Sequence, residues 1–347
     1  MNRILHVNLE RGWRGGERQT LLLALGLRDL GLKASIMARA ESPLMVRAME
    51  EGVETIPVRR PFIVNAGVMQ KYDLIHTHEV RSLQLAAFTK WWHRRPIVVT
   101  RRLAKAPSNR FLTRLKYRLA DQVVAESQAV KKALGDIVVD GAVEVVNGAV
   151  SFRGDYDNSI ADRLSNRFQG SRVVGCVAAF TKEKGHIFLL QTAELLQSRK
   201  LDVVFLLLGD GPLKESLIDE ANKRGLKNVV FEGFVENVEP YFSLFDLVVI
   251  SSKSEAFVSV ALDAFAAGVP VVATNVGGNP EAIIPGVTGE LVEYGDVDGL
   301  AERISGMLCG NFPIDSYKEN AKRDVSTKYT VDNMARRYLS LYQSMLS

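Results

Sequence analysis

The feature that most limits what this chain can fold into is a regular alternation of short β-branched runs with longer amphipathic stretches, carried through twice. Runs at Ile4–Leu9, Ala34–Ala38, Asp73–His76, Ile97–Thr100, Gln122–Ala125 and Glu144–Val146 are separated by stretches of helical period such as Arg18–Leu30. Strands that alternate with helices predict βαβ units around a parallel sheet. A polar stretch, Ser151 to Ser171, holds Gly154, Asp155, Asn158 and Gly170 and no strand period, which marks a linker. The alternation then restarts with Arg172–Ala178, Val203–Leu208, Val229–Glu232, Leu247–Ser251, Val269–Ala273 and Gly289–Val292. The expected architecture is α/β, with two Rossmann-like doubly wound domains facing a cleft, residues 1–155 and 171–325. A last helix within 326–347, roughly Tyr329 to Met345, has no strand after it and is free to pack across either domain, including back on the first.

Length agrees, because 347 residues exceed the size at which one hydrophobic core keeps growing. Ligands of doubly wound sheets lie outside the carboxyl ends of the strands, so two such sheets place their sites in one cleft. The two cysteines, Cys176 and Cys309, make no disulfide framework and have no partner at metal-ligand spacing, which fits a reducing cytoplasm. The first residues read as a strand and not as an export signal. The most apolar run, Val203 to Leu208, is too short to cross a bilayer.

Charge is uneven. Residues 1–150 carry 24 Lys and Arg against 14 Asp and Glu, a balance of +10, whereas the remainder carries 20 against 26, a balance of −6. The first half is thus expected to meet something anionic, such as a phosphorylated glycolipid, a membrane surface or nucleic acid.

The densest chemistry lies between Ser251 and Pro270. A strand ends in the polar loop Ser251-Ser-Lys-Ser-Glu255, and a helix beginning near Val258 offers backbone N–H groups and a positive dipole end to an anion. Glu255 sits in the loop and Asp263 two turns up the helix, so the two carboxylates reach different parts of a ligand. A carboxylate is a ready acceptor for ribose or sugar hydroxyls. A second candidate is Lys184 before Gly185, at the strand-to-helix turn Thr181-Lys182-Glu183-Lys184-Gly185-His186. There the glycine lets backbone approach a phosphate and the lysine brings a mobile charge.

Glu255, seven residues, Asp263 and then Ala266-Ala267-Gly268-Val269-Pro270 resemble the signature of the GT-B glycosyltransferases, within them the retaining family 4. The resemblance runs from about residue 3 to residue 305. It takes in Leu208-Gly209-Asp210-Gly211-Pro212, Phe231-Glu232-Gly233-Phe234-Val235, Gly277-Gly278-Asn279-Pro280-Glu281, the Asn147-Gly148 turn and Gly286-Val287-Thr288-Gly289. It implies that Glu255 holds the donor sugar, Asp263 the ribose, and the backbone of Phe257, Val258 and Ser259 the diphosphate. Gly209, Phe234 and Val235 lie where the family meets the donor, the last two beside the nucleobase. Asp263 stands for the family's Glu, one methylene shorter. Ala179 stands where the family has an Arg, which leaves the phosphate to Lys184, to Lys182 or to the first domain.

In the first domain Gly15 and Gly16 lie between strand and helix, where the family's loop approaches the donor phosphates. His76-Thr-His78-Glu79 resembles the family's His-x-His. Alternate histidines on a strand point the same way, so a metal is conceivable, but no third ligand is evident and packing or an acceptor contact is the expected role. Arg101 and Arg102 stand where many relatives place a His facing the donor sugar, and either would supply charge to a leaving diphosphate. Trp91-Trp-His-Arg-Arg95 and Arg110 to Arg118 mix basic and apolar residues at helical spacing, as in helices that lie on anionic membranes.

The resemblance implies a cytoplasmic enzyme, peripheral on the inner face of the membrane. It would move a hexose-type sugar with retention from a nucleotide-diphosphate sugar, UDP-linked first, to a glycan or lipid-linked acceptor of cell-envelope polysaccharide or lipopolysaccharide. No metal or other cofactor and no nucleic-acid partner is expected. The alternatives are a UDP-GlcNAc epimerase of the same fold and a non-catalytic sugar-binding protein.

Overall fold

A computed structural model describes residues 3–59, 62–108, 110–138, 143–150, 152, 154, 167, 168 and 170–346. Asp155 and Asn158, on which the linker reading partly rests, lie outside the described residues. The chain divides into two compact units, Met1–Ala149 with Tyr329–Ser347, and Val150–Lys328.

The first unit is built on seven strands: β1 (Arg3–Asn8), β2 (Lys33–Arg39), β3 (Glu54–Val58), β4 (Leu74–Thr77), β5 (Ile97–Arg101), β6 (Gln122–Ala125) and β7 (Val143–Val145). They lie parallel in the order β3-β2-β1-β4-β5-β6-β7, so the winding reverses between β1 and β4. Sequence patterning misses β3. Its Pro57 argues against a strand, and the sheet tolerates the missing N–H because β3 is an edge. Helix α1 (Gly15–Asp29) buries Leu21, Leu23, Ala24 and Leu27 over this sheet. The last helix, Val331–Leu346, packs in the same core through Met334, Ala335, Tyr338, Leu341 and Tyr342. Gly26 makes that approach possible: a Cβ there would stand 2.8 Å from the Ala335 Cβ.

The second unit has six parallel strands, β8 (Arg172–Val177), β9 (Val203–Leu208), β10 (Val229–Gly233), β11 (Leu247–Ile250), β12 (Val271–Thr274) and β13 (Glu290–Val292). Their order is β10-β9-β8-β11-β12-β13, with the reversal between β8 and β11. Strands buried on both faces read as near-continuous apolar runs, and β11 and β12 are buried at every position. No helix among the described residues is long and apolar enough to cross a membrane.

Candidate active site

In the second unit the loops leaving β8 and β11, the two strands at the reversal, line a pocket that is partly open to solvent. Ligands of such sheets bind at this kind of point because the neighbouring loops diverge and leave the strand ends uncovered. The walls come from the end of β8 (Cys176 to Ala178), Lys184, the end of β11 with Ser251, Ser252 and Glu255, and Phe257 to Val260.

Lys184 closes a single helical turn, and Gly185 follows with φ +67°. A Cβ at Gly185 would stand 2.0 Å from the Ser251 carbonyl oxygen, so only glycine brings the lysine loop onto the end of β11. Two bonds hold the contact: Ser251 Oγ donates to the Lys184 carbonyl at 3.1 Å and Lys253 N to the Glu183 carbonyl at 2.7 Å. Lys184 Nζ then reaches Glu255 Oε1 at 2.7 Å, and the same oxygen accepts from Ser252 Oγ at 2.6 Å. Beneath Glu255 lie Gly277 and Gly278. Gly278 N donates to the Glu255 carbonyl at 3.2 Å, and a Cβ at Gly277 would stand 1.8 Å from that oxygen. The diglycine that is weak as a sequence signal thus seats the carboxylate loop.

The helix Ser259–Ala266 starts at the pocket wall. Its first N–H groups have no acceptor within the helix, and its dipole is positive there. Lysine, helix N-terminus and carboxylate therefore converge on one pocket, a combination suited to an anion carrying hydroxyl groups. Two titratable groups near them are shifted toward their neutral forms. Burial pushes the Cys176 thiol up to about 12, and burial, with Lys184 adding to it, lowers His186 to about 4.

At the carboxyl ends of the first sheet lies a second polar cluster. Arg102 Nη1 donates to His78 Nδ1 at 3.0 Å, and its Nε lies 3.3 Å from Glu126 Oε1. A guanidinium only donates, so His78 accepts at Nδ1, carries its proton on Nε2 and donates it to His6 Nδ1 at 2.9 Å. His6 is left with a buried Nε2–H that has no partner among the described residues. His76 lies against His78 with the rings tilted by 37° and their centroids 4.1 Å apart, and meets Thr100 Oγ1 at 2.7 Å and the Tyr342 hydroxyl at 2.6 Å. Burial and then the Arg102 charge lower His6 to about 3; burial, the neighbouring rings and Arg102 hold His76 and His78 well below the ordinary value.

The third histidine that sequence reading does not find is His6, brought beside His76 by the pairing of β1 with β4. The three rings are close enough to share an ion. The proton pattern opposes it: His78 turns one lone pair to Arg102 and its N–H to His6, leaving none for a metal. His76 exposes no surface. Glu79 caps the helix Val80–Phe88, accepting from Arg81 N and Ser82 N, and also accepts from Leu9 N. Arg101 is buried and points elsewhere, donating to the Tyr117 hydroxyl and the Lys105 carbonyl.

Comparison with known proteins accounts for both halves. The family described as "Glycosyltransferase Family 4" matches residues 13–152, and "Glycosyl transferases group 1" matches residues 171–309. The chain belongs to the family 4 glycosyltransferases. It is 25% identical to the 2-deoxystreptamine N-acetyl-D-glucosaminyltransferase of Niallia circulans, over 82% of this chain and 79% of that one. It is also 25% identical to CapM, a capsular polysaccharide biosynthesis glycosyltransferase of Staphylococcus aureus, over 83% and 78%. Its GT-B fold is shared with Anabaena HepE in complex with UDP and glucose, at a TM-score of 0.87 and 22% identity over 99% of this chain and 100% of that chain.

Of the donor residues expected from sequence, the glycosyltransferase brings Lys184, Glu255, Phe257, Val258 and Ser259 to one pocket. Gly209, Phe234, Val235 and Asp263 are not in its walls. Gly209 has φ +151°, and a Cβ there would stand 1.9 Å from the carbonyl oxygen of Ala178, itself a wall residue. Phe234 is exposed and Val235 half-buried after β10. Asp263 is buried and accepts from Phe152 N at 3.1 Å, so a ribose contact has to compete with an internal bond. In the first unit Gly15 and Gly16 form the first turn of α1, and a Cβ at Gly16 would lie 3.8 Å from Arg102 Cδ.

Proposed function

We propose that this enzyme transfers a hexose-type sugar, with retention, from a UDP-sugar to a glycan or lipid-linked acceptor in cell-envelope polysaccharide or lipopolysaccharide synthesis. The observation that carries the reading is the convergence of Lys184, Glu255 and the helix start at Phe257 to Ser259 on one pocket at the strand-order reversal. Lys184 and the helix N-terminus neutralise the leaving diphosphate, and Glu255 accepts from sugar hydroxyls. Lysine and amide donors meet the developing charge in this scheme without a metal ion. A relative that builds capsule and a fold neighbour holding UDP and glucose favour a UDP-linked donor and a cell-envelope acceptor.

The acceptor reading draws on the first unit. Trp91 and Phe111 are about three-quarters exposed and Leu112 is 61% exposed, with Arg94, Arg110 and Arg118 beside them in sequence. Exposed aromatic and basic residues together suit an anionic lipid surface that carries the acceptor.

Thermal-shift and turnover measurements with UDP-, GDP- and ADP-glucose on the parent and on Glu255→Ala and Lys184→Ala test the donor site. The expected result is stabilisation and UDP release with the uridine donor and loss of turnover in both variants. Absence of binding by all three donors, or variants as active as the parent, rejects the assignment. The anomeric configuration of the product, read by NMR, decides retention.

A further inference from the structure

Arg102 is held in a way that its neighbour Arg101 is not. Its guanidinium donates to His78 at 3.0 Å and is ion-paired to Glu126, whose Oε1 lies 3.3 Å from an Nε that makes no hydrogen bond, and no hydrogen bond of Nη2 is found among the described residues either. The Arg102 and Glu126 side chains are each 10% exposed. Burying an ion pair costs desolvation that its attraction only partly returns, so stability is a poor explanation for placing one there. Position offers a better one. Gly16 follows β1, His78 follows β4, Arg102 follows β5 and Glu126 follows β6, so the cluster sits at the carboxyl ends of the strands, spanning the reversal. That is where ligands of such sheets bind. Burial first, then the neighbouring His76 and the Arg102 charge, disfavour the proton that would turn His78 from acceptor into competitor.

We propose that Glu126 and His78 are positioning residues that hold Arg102 so that its unspent Nη2 meets a phosphoryl oxygen of a substrate bound at the carboxyl ends of the first sheet. The inference rests on the nucleotide-sugar reading above. A guanidinium clamped on two edges loses little freedom when it binds a third partner, which makes it a stronger anion contact than a mobile side chain. Glu126 acts here only through Arg102.

The test is a double-mutant cycle in acceptor-free turnover of whichever of UDP-, GDP- and ADP-glucose the parent accepts, with melting curves showing each variant folded at the assay temperature. Arg102→Ala is expected to lower kcat/KM about 100-fold and Glu126→Gln about tenfold, with the double variant no slower than Arg102→Ala alone. Millimolar guanidinium is expected to raise the rate of Arg102→Ala several-fold and to leave Arg102→Ala/Glu126→Gln unchanged, a response that a merely structural carboxylate would not produce. Inhibition by inorganic pyrophosphate weakened in Arg102→Ala identifies the donor diphosphate as the source. Inhibition by inorganic phosphate alone weakened identifies a phosphorylated acceptor. Losses that multiply in the double variant, equal rescue of both variants, or inhibition by both anions unchanged overturn the proposal. If Arg102→Ala keeps parental activity while Lys184→Ala is inactive, the Arg102 role falls and the donor site stands. A parent that neither binds nor turns over any of the three donors removes the donor reading and this inference with it.

Discussion

Lys184 and Glu255, 71 residues apart in sequence, meet at 2.7 Å across the end of β11. Lys184 is 29% exposed in its side chain and Glu255 11%, so the pair sits at the mouth of the pocket with solvent on one side. Partly exposed pairs contribute about 1 kcal/mol or less to stability. Lys184→Ala and Glu255→Gln are therefore expected to leave urea unfolding within about 1 kcal/mol of the parent while turnover falls about 100-fold. A stability loss large enough to explain the rate loss would contradict a functional role for the pair.

Gly277→Ala tests the seat of Glu255. Its φ of +55° and the 1.8 Å approach to the Glu255 carbonyl oxygen leave no room for a methyl group. Gly286 also has positive φ, +75°, but nothing within 4 Å of a Cβ. Gly286→Ala is expected to cost about 1–2 kcal/mol, the dihedral penalty alone, and Gly277→Ala more than that. Only Gly277→Ala is expected to weaken donor binding as well, measured by calorimetry with UDP.

The buried histidines predict a pH dependence of stability. A histidine kept neutral by the fold has a folded pKa below its unfolded value near 6.5. Its contribution is therefore complete above about pH 6.5 and is lost as pH falls, for His6 down to about 3. Glu126 works in the opposite sense, since burial raises its carboxyl, offset in part by Arg102. Replacing His6 by Gln removes one of the opposing protons, so the slope of unfolding free energy against pH between about 6 and 5 is expected to fall by about 1.4 kcal/mol per pH unit. Urea titrations at pH 7, 6 and 5 measure it, and parallel slopes in parent and variant would contradict a neutral His6.

Liposome co-sedimentation checks the surface around Phe111 and Leu112. Binding is expected to require anionic lipid, to fall with salt, and to drop about thirtyfold when Arg110 and Arg118 are both replaced by Ala, at about 1 kcal/mol per charge near the surface. Equal binding to neutral vesicles, or none to either, rejects the membrane reading.

Much of the second unit is legible along the chain. Its strands announce themselves by apolar runs, and Lys184, Glu255 and Ser259 stand next to strand ends and helix starts, where neighbouring residues set the local chemistry. The periods of helix and strand are short-range properties, so a sequence expresses them directly. Even the glycines that open α1 and Gly277 are visible as candidates, though only the carbonyl oxygen packed against Gly277 says why glycine is there.

The first unit is different. The alternation of runs determined that a parallel sheet would form, but not that β1 would pair with β4, and it is that pairing which sets His6 beside His76 and His78. The same crossovers place β5 next to β6, from whose ends Arg102 and Glu126 meet. The last helix brings Tyr342 to His76 across 266 residues. By itself the sequence determined the two sheets and the loops that line the pocket. Tertiary structure decided which buried charge faces which, because strand order is settled by how whole elements pack, and no local period records it.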